Sequence, residues 1–354
     1  MRRVYVDNLT GAEILAKSIY MPNDIVLLSK GIRVKRSYVA KLKELGIEYI
    51  YIDDAISEGI EIDDYIDEKT REECKKEVRN VLEKFSTSGK VELDLISQMA
   101  ENIIDDILSN KEVLVNISDV RREDEYKYSH SVSVCSLAVL TALKSGYNQE
   151  KAKDLAIGAL LHDLGKVLIP EDILNKSSEL TEIEKEIYKQ HVINGYEAVK
   201  DESWLSATSK VIILTHHERI DGSGYPFGWK GDKINLSAKI VGVCDAFDTI
   251  TNKGLDNKPM KVYEAIEYLT AMKGIFFDEE IVDIFTNHIA AYPSGTGVKT
   301  NKGDICIVVR QNPDFPTRPV IRKIESSEGK KITEAEEIDL SIETTLFIID
   351  THEI

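Results

Sequence analysis

Two short stretches determine how this sequence is interpreted: residues 162–166, which read His162-Asp163-Leu164-Gly165-Lys166, and residues 216–226, which read His216-His217-Glu218-Arg219-Ile220-Asp221-Gly222-Ser223-Gly224-Tyr225-Pro226. Both lie in a long region, from about 68 to 292, in which apolar residues recur three and four positions apart. That spacing collects apolar side chains on one face of an α-helix. The middle of the chain is therefore predicted to be nearly all helical.

The helical pattern predicts a succession of helices separated by stop signals. Gly146, for example, follows a periodic run that ends at Lys144, and glycine is common just after the end of a helix. Two early runs, around 78–85 and 96–108, show the same spacing. The later predicted helices span 125–144, 152–163, 182–199, 205–217, 236–249, 262–272 and 279–290.

The start of the chain has a different pattern. Two β-rich runs, at 25–28 and 48–52, flank a helical pattern at 37–45 that ends at Gly46. These runs predict a small α/β module. The acidic stretch 53–68 that follows is predicted to be a solvated linker.

The end of the chain is predicted to be β-rich, because β-branched runs at 305–309, 320–324 and 345–349 are separated by Gly, Pro and Asn. The fold class is therefore predicted to be mainly α. The predicted division is a small α/β N-terminal module over 1–65, a helical domain over 66–292 and a small β-rich C-terminal module over 293–354.

Composition narrows the classes of function. The net charge of −17 argues against binding of polymeric nucleic acid or of anionic membranes, both of which need clusters of Lys and Arg. It does not exclude a small anionic ligand at a metal site, which has its own local positive charge. No apolar run approaches the roughly 18 residues of a membrane span, and no signal peptide is evident, so a cytoplasmic location is predicted.

The four cysteines are Cys74, Cys135, Cys244 and Cys306, and none forms a CxxC pair. Cysteines scattered in this way in a long chain without a signal peptide are more often small buried apolar residues than disulfide partners. We therefore predict four free, buried thiols.

The residues that carry chemistry are histidines and aspartates in the helical region. A single histidine is more often structural than a metal ligand, and His288 and His352 are interpreted in that way. An ordered set of imidazoles and carboxylates in one region is a much stronger signal. Seven ligands are too many for one open metal site and suit two ions. The set is His130, His162, Asp163, His191, His216, His217 and Asp245.

The spacing of these residues favours two neighbouring metal ions. Adjacent residues on a helix point about 100° apart, so His162-Asp163 and His216-His217 are poor core pairs but can each address two ions. Asp163 could bridge the ions. Two metals about 3.5–4 Å apart can hold a bridging hydroxide as the nucleophile for phosphoryl chemistry. Gly165 lets the chain turn away, and Lys166 adds a cation beside the phosphate.

The two stretches resemble the HDxGK and HHExxDGxGYP signatures of the HD-GYP phosphodiesterases. The resemblance covers roughly residues 120–290 and implies an all-helical HD-type domain that hydrolyses cyclic di-GMP to pGpG and/or GMP at a binuclear centre of iron, manganese or both. By motif-matched comparison, His130, His162, Asp163 and Asp245 hold one metal, and Asp163, His191, His216 and His217 hold the other. Asp163 and Lys166 are the predicted catalytic residues, with Lys166 contacting a phosphate oxygen.

The resemblance also assigns the loop that ends in Gly-Tyr-Pro. Its residues are expected to be structural or to bind a partner rather than to take part in catalysis, because Gly and Pro shape a turn and Tyr can pack or present an interaction surface. The loop residues are Asp221, Gly222, Gly224, Tyr225 and Pro226.

Two positions depart from the family pattern. Members with a third metal carry Glu where this chain has Tyr126, so two metals are expected. The family's substrate-gripping Arg and Lys are replaced by Gly254 and Asn257. Lys253 or Lys258 could replace them as point charges, without the fork geometry of arginine.

These departures leave alternatives open. The chain could hydrolyse a different cyclic or linear dinucleotide, or it could be a metal- and nucleotide-binding signalling module with little turnover. Retention of all seven ligands favours catalysis, and loss of the Arg favours sensing. A GGDEF-type cyclase and a second copy of the chain are the candidate protein partners.

Overall fold

The structure is a computed structural model that describes residues 1–21, 25–62, 64–89, 91, 95–110, 114–116, 126–176, 178–252, 254, 258–332 and 336–354. It divides into two compact units, and each is described by itself. A mixed unit comprises Met1–Tyr65, Glu112–Tyr126 and Asn287–Ile354. A helical unit comprises Ile66–Lys111 and Lys127–Thr286.

The mixed unit is built from short antiparallel strands and one helix. In chain order these are β1 (Arg2–Tyr5), β2 (Ile14–Leu15), β3 (Ile19–Met21), β4 (Ile25–Leu28), α1 (Arg36–Glu44), β5 (Tyr49–Asp53), β6 (Gly297–Thr300), β7 (Ile305–Arg310), β8 (Val320–Glu325), β9 (Glu337–Asp339) and β10 (Ile348–Thr351). The strands form one sheet in the order β1-β5-β2, a β3-β4 pair and a sheet in the order β10-β6-β7-β8-β9. The small α/β and β-rich regions are thus both present.

Alternation along the strands sets the core of the first sheet. Val4 pairs with Ile50 across β1 and β5, and both are buried together with Ile52 in one apolar cluster. Arg3 and Tyr5 alternate with the apolar residues of β1 and point to the other face, as expected for a period of two. The prediction of a β-strand from the run 48–52 is therefore confirmed.

The prediction of a solvated linker over 53–68 is wrong. Ile60, Ile62, Tyr65 and Ile66 in this stretch are each at most 7% exposed. Ile60 packs against Ile307 and Val309 of β7. Residues 1–65 and 293–354, which the sequence predicts as separate modules, therefore contribute to the same unit.

The helical unit contains ten helices among the described residues. They are α2 (Glu68–Ser88), α3 (Ile96–Ser109), α4 (Tyr126–Lys144), α5 (Gln149–Leu161), α6 (Glu171–Leu174), α7 (Glu182–Val199), α8 (Ala207–Thr215), α9 (Leu236–Asn252), α10 (Val262–Ala271) and α11 (Glu279–Thr286). A 3-10 turn covers Leu164–Leu168. The mainly α fold class is confirmed.

Local sequence signals explain where the central helices begin. Thr181 caps α7 in a capping box with Glu184, and Ser206 caps α8 by accepting a hydrogen bond from the amide of Ser209. The ends of α5 and α8 differ from prediction, because α5 ends at Leu161 and α8 at Thr215. The His-Asp and His-His pairs therefore lie just beyond two helix ends.

The 3-10 turn after Asp163 packs directly on α7. A methyl group added at Gly165 would lie 2.0 Å from the carbonyl oxygen of His191 and 2.5 Å from the amide nitrogen of Gly195. Only glycine fits such a close approach of two backbones. This contact brings Asp163 and Lys166 next to His191.

All four cysteines are buried and free, as predicted. Among the residues that the structure describes, no helix is long and apolar enough to cross a membrane.

Replacing Gly165 with alanine is expected to destabilise the protein by about 1–3 kcal/mol, because the new methyl group would collide with backbone atoms that cannot rotate away. Urea denaturation followed by far-UV circular dichroism measures the loss. Gly195→Ala is the comparison on the facing helix. Its methyl group would meet Ile213 Cγ2 at 3.0 Å and the amide nitrogen of Gly165 at 3.2 Å, and these longer distances should cost less. Equal stability of Gly165→Ala and the wild type would contradict the close approach.

Candidate metal centre

The seven predicted ligands converge inside the helical unit from five places in the chain. His130 lies on α4, His191 on α7 and Asp245 on α9, and the two adjacent pairs follow the ends of α5 and α8. Six of the seven are buried, and His217 is partly buried. Residues as far as 115 positions apart in the sequence thus meet in one place.

The ligand atoms fall into two groups. In each group, one ligand atom from every residue lies within 4.8 Å of the others. One group consists of Asp163, His191, His216 and His217, and the other of His130, His162 and Asp245. This division matches the two predicted ligand sets, apart from the predicted sharing of Asp163.

Asp163 faces both groups with different oxygens. Its Oδ2 lies 3.4 Å from His162 Nε2 and 3.6 Å from His130 Nε2, whereas its Oδ1 lies 3.6 Å from His191 Nε2. Asp245 is placed in a similar way, with Oδ1 3.2 Å from His130 Nε2 and Oδ2 3.6 Å from His217 Nδ1. Both carboxylates are therefore positioned between the groups.

Four buried polar atoms at this centre have no hydrogen-bond partner among the described residues: Asp163 Oδ1, His191 Nε2, His216 Nε2 and His217 Nε2. A buried polar atom without a partner costs about 1–3 kcal/mol, so such atoms seldom occur together without a reason. Imidazole nitrogens and a carboxylate oxygen are the atoms that divalent transition metals prefer. The residues present fit bound cations.

Hydrogen bonds on the far side of the rings orient four of the five histidines. The Nδ1 atoms of His162, His191 and His216 lie 2.7, 2.7 and 3.1 Å from the carbonyl oxygens of Ala159, Tyr188 and Ile212. A carbonyl only accepts, so Nδ1 carries the proton and Nε2 keeps its lone pair for a metal.

Asp248 orients the fourth ring. Its Oδ2 lies 2.8 Å from His130 Nδ1, and both residues are buried. The sequence shows Asp245 and Asp248 one helical turn apart, but only Asp245 was assigned a role. The spacing was the available signal, since the turn places both carboxylates on one face of α9.

The electrostatics favour neutral histidines on one side of the centre. Burial and then the Lys166 ammonium lower the pKa of His191 to about 4. Burial also holds the pKa values of His216 and His217 well below the usual range. Neutral imidazole is the form that binds metals.

His130 and Asp163 are shifted by their partners. Burial alone would lower the pKa of His130, but hydrogen bonds to Asp245 and Asp248 outweigh it and raise the pKa to about 9. A proton on His130 and a bound cation are alternatives here, since each offsets the same carboxylates. Burial alone would raise the pKa of Asp163, but His162 and Lys166 hold it well below the usual range, so Asp163 is ionised.

Lys166 lies beside the centre. Its Nζ donates to Asp163 Oδ2 at 2.6 Å and lies 5.4 Å from the centroid of the Tyr188 ring. Burial alone would lower the pKa of Lys166, but Asp163 and Tyr188 raise it well above the usual range, so the side chain is a cation.

The loop that ends in Gly-Tyr-Pro folds back onto His217, one of the predicted ligands. A methyl group at Gly224 would lie 2.3 Å from the amide nitrogen of Arg219 and 2.4 Å from the carbonyl oxygen of His217. This close approach places the Tyr225 ring against the His217 ring, with centroids 4.7 Å apart.

Glu218 holds the far end of the same loop. Its buried carboxylate accepts hydrogen bonds from the backbone amides of Phe227 (2.8 Å) and Trp229 (2.9 Å). Asp221 accepts from the amide of Ser223, and Gly222 has a φ of 85°. No role is predicted for Glu218 from the sequence, although its place directly after the two histidines is a signal.

The predicted substrate contacts are only partly described. Lys253 and Asn257 lie outside the described residues, as does Glu125. Lys258 is exposed, and neither ligand group includes it. Gly254 has a φ of 76°, and a Cβ there would lie 1.7 Å from the carbonyl oxygen of Lys258. The path of the backbone therefore excludes an arginine side chain at this position.

Three further residues had been considered from sequence. Tyr126, which replaces the glutamate of three-metal relatives, begins α4. His288 and His352 lie in the mixed unit, and neither belongs to a ligand group among the described residues.

Comparison with known families agrees with this geometry. Residues 102–281 match the HD domain family, and residues 298–353 match a KOW domain associated with HD domains. A solved HDG"Y"P protein from Bdellovibrio bacteriovorus superimposes with a TM-score of 0.52 at 20% identity, covering 80% of this chain and 98% of that one. At this identity the likeness is one of fold.

Curated relatives are cyclic dinucleotide phosphodiesterases. A cyclic di-GMP phosphodiesterase of Pseudomonas aeruginosa is 32% identical over 69% of this chain and 59% of its own length. A 3'3'-cGAMP-specific phosphodiesterase of Vibrio cholerae is 32% identical over 51% of this chain and 35% of its own length. The chain thus spans well under two thirds of these relatives.

The family match covers half of the chain and includes every residue of the ligand cluster. It also includes both signature stretches, from His162 to Lys166 and from His216 to Pro226. The chain therefore belongs to the HD domain family and, by these signatures, to its HD-GYP branch.

Proposed function

We propose that the chain is a metal-dependent phosphodiesterase that hydrolyses cyclic di-GMP to pGpG, to GMP or to both. The observation that carries the proposal is the position of Asp163, whose two oxygens face two separate groups of histidines. The names of the relatives from Pseudomonas aeruginosa and Vibrio cholerae support a cyclic dinucleotide as the substrate class.

The cofactors in this proposal are two divalent transition-metal ions, iron or manganese. His130, His162 and Asp245 would hold one, His191, His216 and His217 the other, and Asp163 both. When bound, such a pair supplies positive charge for the phosphate oxygens. It also lowers the pKa of bound water, so that hydroxide is available at neutral pH.

The chain's own residues prepare the site before substrate arrives. The Nδ1 hydrogen bonds of four histidines fix the direction of each Nε2 atom, so little reorganisation is needed when a ligand binds. Lys166 is the positive side chain within reach of the shared carboxylate, and its ammonium can exchange Asp163 Oδ2 for a phosphate oxygen. Lys166 thus orients the phosphodiester.

The replacement of the family's Arg and Lys by Gly254 and Asn257 supports a second candidate substrate. Without the arginine fork, the grip on substrate phosphate differs from the family pattern, and one relative is specific for 3'3'-cGAMP. Hydrolysis of 3'3'-cGAMP or of a linear dinucleotide is therefore the alternative activity. A signalling module that binds metal and nucleotide with little turnover is the alternative of a different class.

Partners and location follow from the same proposal. A GGDEF-type cyclase that makes the substrate, and a second copy of the chain, are the proposed protein partners. A cytoplasmic location remains a prediction from the sequence.

The central test is hydrolysis by the iron- or manganese-loaded chain, kept anaerobic, with cyclic di-GMP and 3'3'-cGAMP offered separately. Chromatography of the products and metal analysis are run together. Asp163→Asn is expected to lower hydrolysis by at least about 100-fold and to reduce the metal content, because it removes the shared carboxylate. Asp172→Asn, which changes an exposed carboxylate on α6, is the control and should leave both unchanged.

The possible outcomes separate the candidates. Product that survives Asp163→Asn would refute the two-metal site. Bound metal and bound nucleotide without product would favour the signalling module. Product from 3'3'-cGAMP alone would assign the alternative substrate.

Lys166→Gln is expected to lower kcat/KM by about 30-fold, the equivalent of about 2 kcal/mol for one hydrogen bond to a charged group. The metal content should not fall, since the substitution removes a cation from beside Asp163. Lys185→Gln, which removes an exposed lysine on α7, is the matched control. A loss of metal in Lys166→Gln would assign Lys166 to the centre rather than to the substrate.

Gly254→Arg restores the residue found at this position in the family but is expected to lower activity, because any Cβ at Gly254 collides with the Lys258 carbonyl. Gly254→Ala should cause a similar loss, since the collision involves the backbone path and not the guanidinium. Steady-state rates on cyclic di-GMP decide the point. A gain in kcat/KM for Gly254→Arg would show that the loop can accommodate the family grip.

A further inference from the structure

The His217 ring is held differently from the other four imidazoles of the centre. Those four each have Nδ1 within 3.1 Å of a carbonyl or carboxylate oxygen. In His217, Nδ1 lies 3.6 Å from Asp245 Oδ2, and Nε2 has no hydrogen-bond partner among the described residues. The His217 ring therefore lacks the short Nδ1 hydrogen bond that restrains each of the other four rings.

His217 is also the most exposed of the five. Its side chain is 15% exposed, against at most 3% for His130, His162 and His191. A ring without a close hydrogen bond is not fixed in rotation about its side-chain bonds by hydrogen bonding. Something else must hold it if it is to serve as a ligand.

Three aromatic rings pack against His217, and only one of them is stacked on it. The His216 ring lies 4.1 Å away between centroids at a tilted angle of 44°, and the His191 ring lies 5.1 Å away edge-on, whereas the Tyr225 ring lies 4.7 Å away at an interplanar angle of 27°. Offset stacking of this kind contributes about 0.5–1.5 kcal/mol beyond area burial. His216 is itself a candidate ligand, so Tyr225 is the stacking partner outside the ligand set.

The loop is built to keep Tyr225 in that place. The Tyr225 amide donates to the carbonyl oxygen of His217 at 3.3 Å, and Gly224 allows the approach. Beyond Tyr225, Glu218 binds the amides of Phe227 and Trp229. The loop is thus held on both sides of Tyr225, by the carbonyl oxygen of His217 before it and by the carboxylate of the next residue, Glu218, after it.

We propose that Tyr225 is a positioning residue that orients His217 for metal binding through the face of its ring. This inference rests on the proposed function, because it gives His217 the role of a ligand. The inference gives the Gly-Tyr-Pro loop a role in forming the candidate metal centre. The aromatic face does the positioning, so phenylalanine can replace tyrosine and an aliphatic residue cannot.

The test uses the full chain and Zn²⁺ as the probe, because sites of histidine and carboxylate accept zinc and the ion is diamagnetic. Stepwise zinc affinities are measured by competition with a fluorescent chelator. Tyr225→Leu is expected to weaken one of the two sites by about 10-fold and to leave the other unchanged. Tyr225→Phe is expected to keep both affinities.

Tyr147→Leu is the matched control. It removes another tyrosine from the helical unit, one that bonds Ser237 and belongs to neither ligand group, and both zinc affinities should persist. Urea denaturation of each variant checks that it is folded. Equal weakening of both sites by Tyr225→Leu would indicate a general structural role and overturn the proposal, as would unchanged affinities.

A second measurement needs no metal. In protein labelled at histidine, the His217 ring signals are assigned by their loss in His217→Gln. Stacking on Tyr225 predicts an upfield ring-current shift of these signals in the wild type and in Tyr225→Phe, and its loss in Tyr225→Leu. Absence of the shift in the wild type overturns the proposal.

The two measurements separate this inference from the proposed function. A wild-type chain that binds no zinc overturns the metal-dependent function and the ligand role of His217 with it. The ring-current shift then still decides whether Tyr225 orients that ring. Loss of zinc affinity in Tyr225→Phe as large as in Tyr225→Leu would overturn the assignment to the ring face.

Discussion

A carboxylate that is buried away from water needs positive charge close to it. Asp163 is such a carboxylate, and the helices of the helical unit are arranged around this requirement. The residue is 8% exposed, and a buried, unpaired charge costs several kcal/mol. Lys166 compensates one oxygen, while the other has no partner among the described residues and faces His191. The surrounding helices therefore place around Asp163 the groups that can hold cations.

Helix geometry itself selects the state of three histidines. The Nδ1 atoms of His162, His191 and His216 each meet a carbonyl oxygen three or four residues earlier in the chain. Each of these carbonyl oxygens accepts from the ring N–H, which fixes the tautomer of the histidine. The same hydrogen bond directs Nε2 to the centre.

Much of this could be predicted from the sequence, because the predicted ligands form short-range patterns on helices and just beyond their ends. The span of α7, from Glu182 to Val199, was predicted correctly from the helical pattern. The ends of α5 and α8 were predicted two residues too late, because periodicity alone does not mark the last residue of a helix. The positions of Asp248 and Glu218 in the sequence signal a role, but their partners, His130 and Phe227, could not be predicted, since these contacts depend on how the chain folds back rather than on local periodicity.

The burial of Ile60 against Ile307 and Val309 has a consequence for the order of events during synthesis. About 250 residues separate Ile60 from Ile307 and Val309, and closing so long a loop has an entropic cost. The first 65 residues leave the ribosome well before their partner strand exists. Until β7 has been made, an apolar surface of the mixed unit stays open to solvent or to chaperones, while the helical unit, encoded between the two, can already fold.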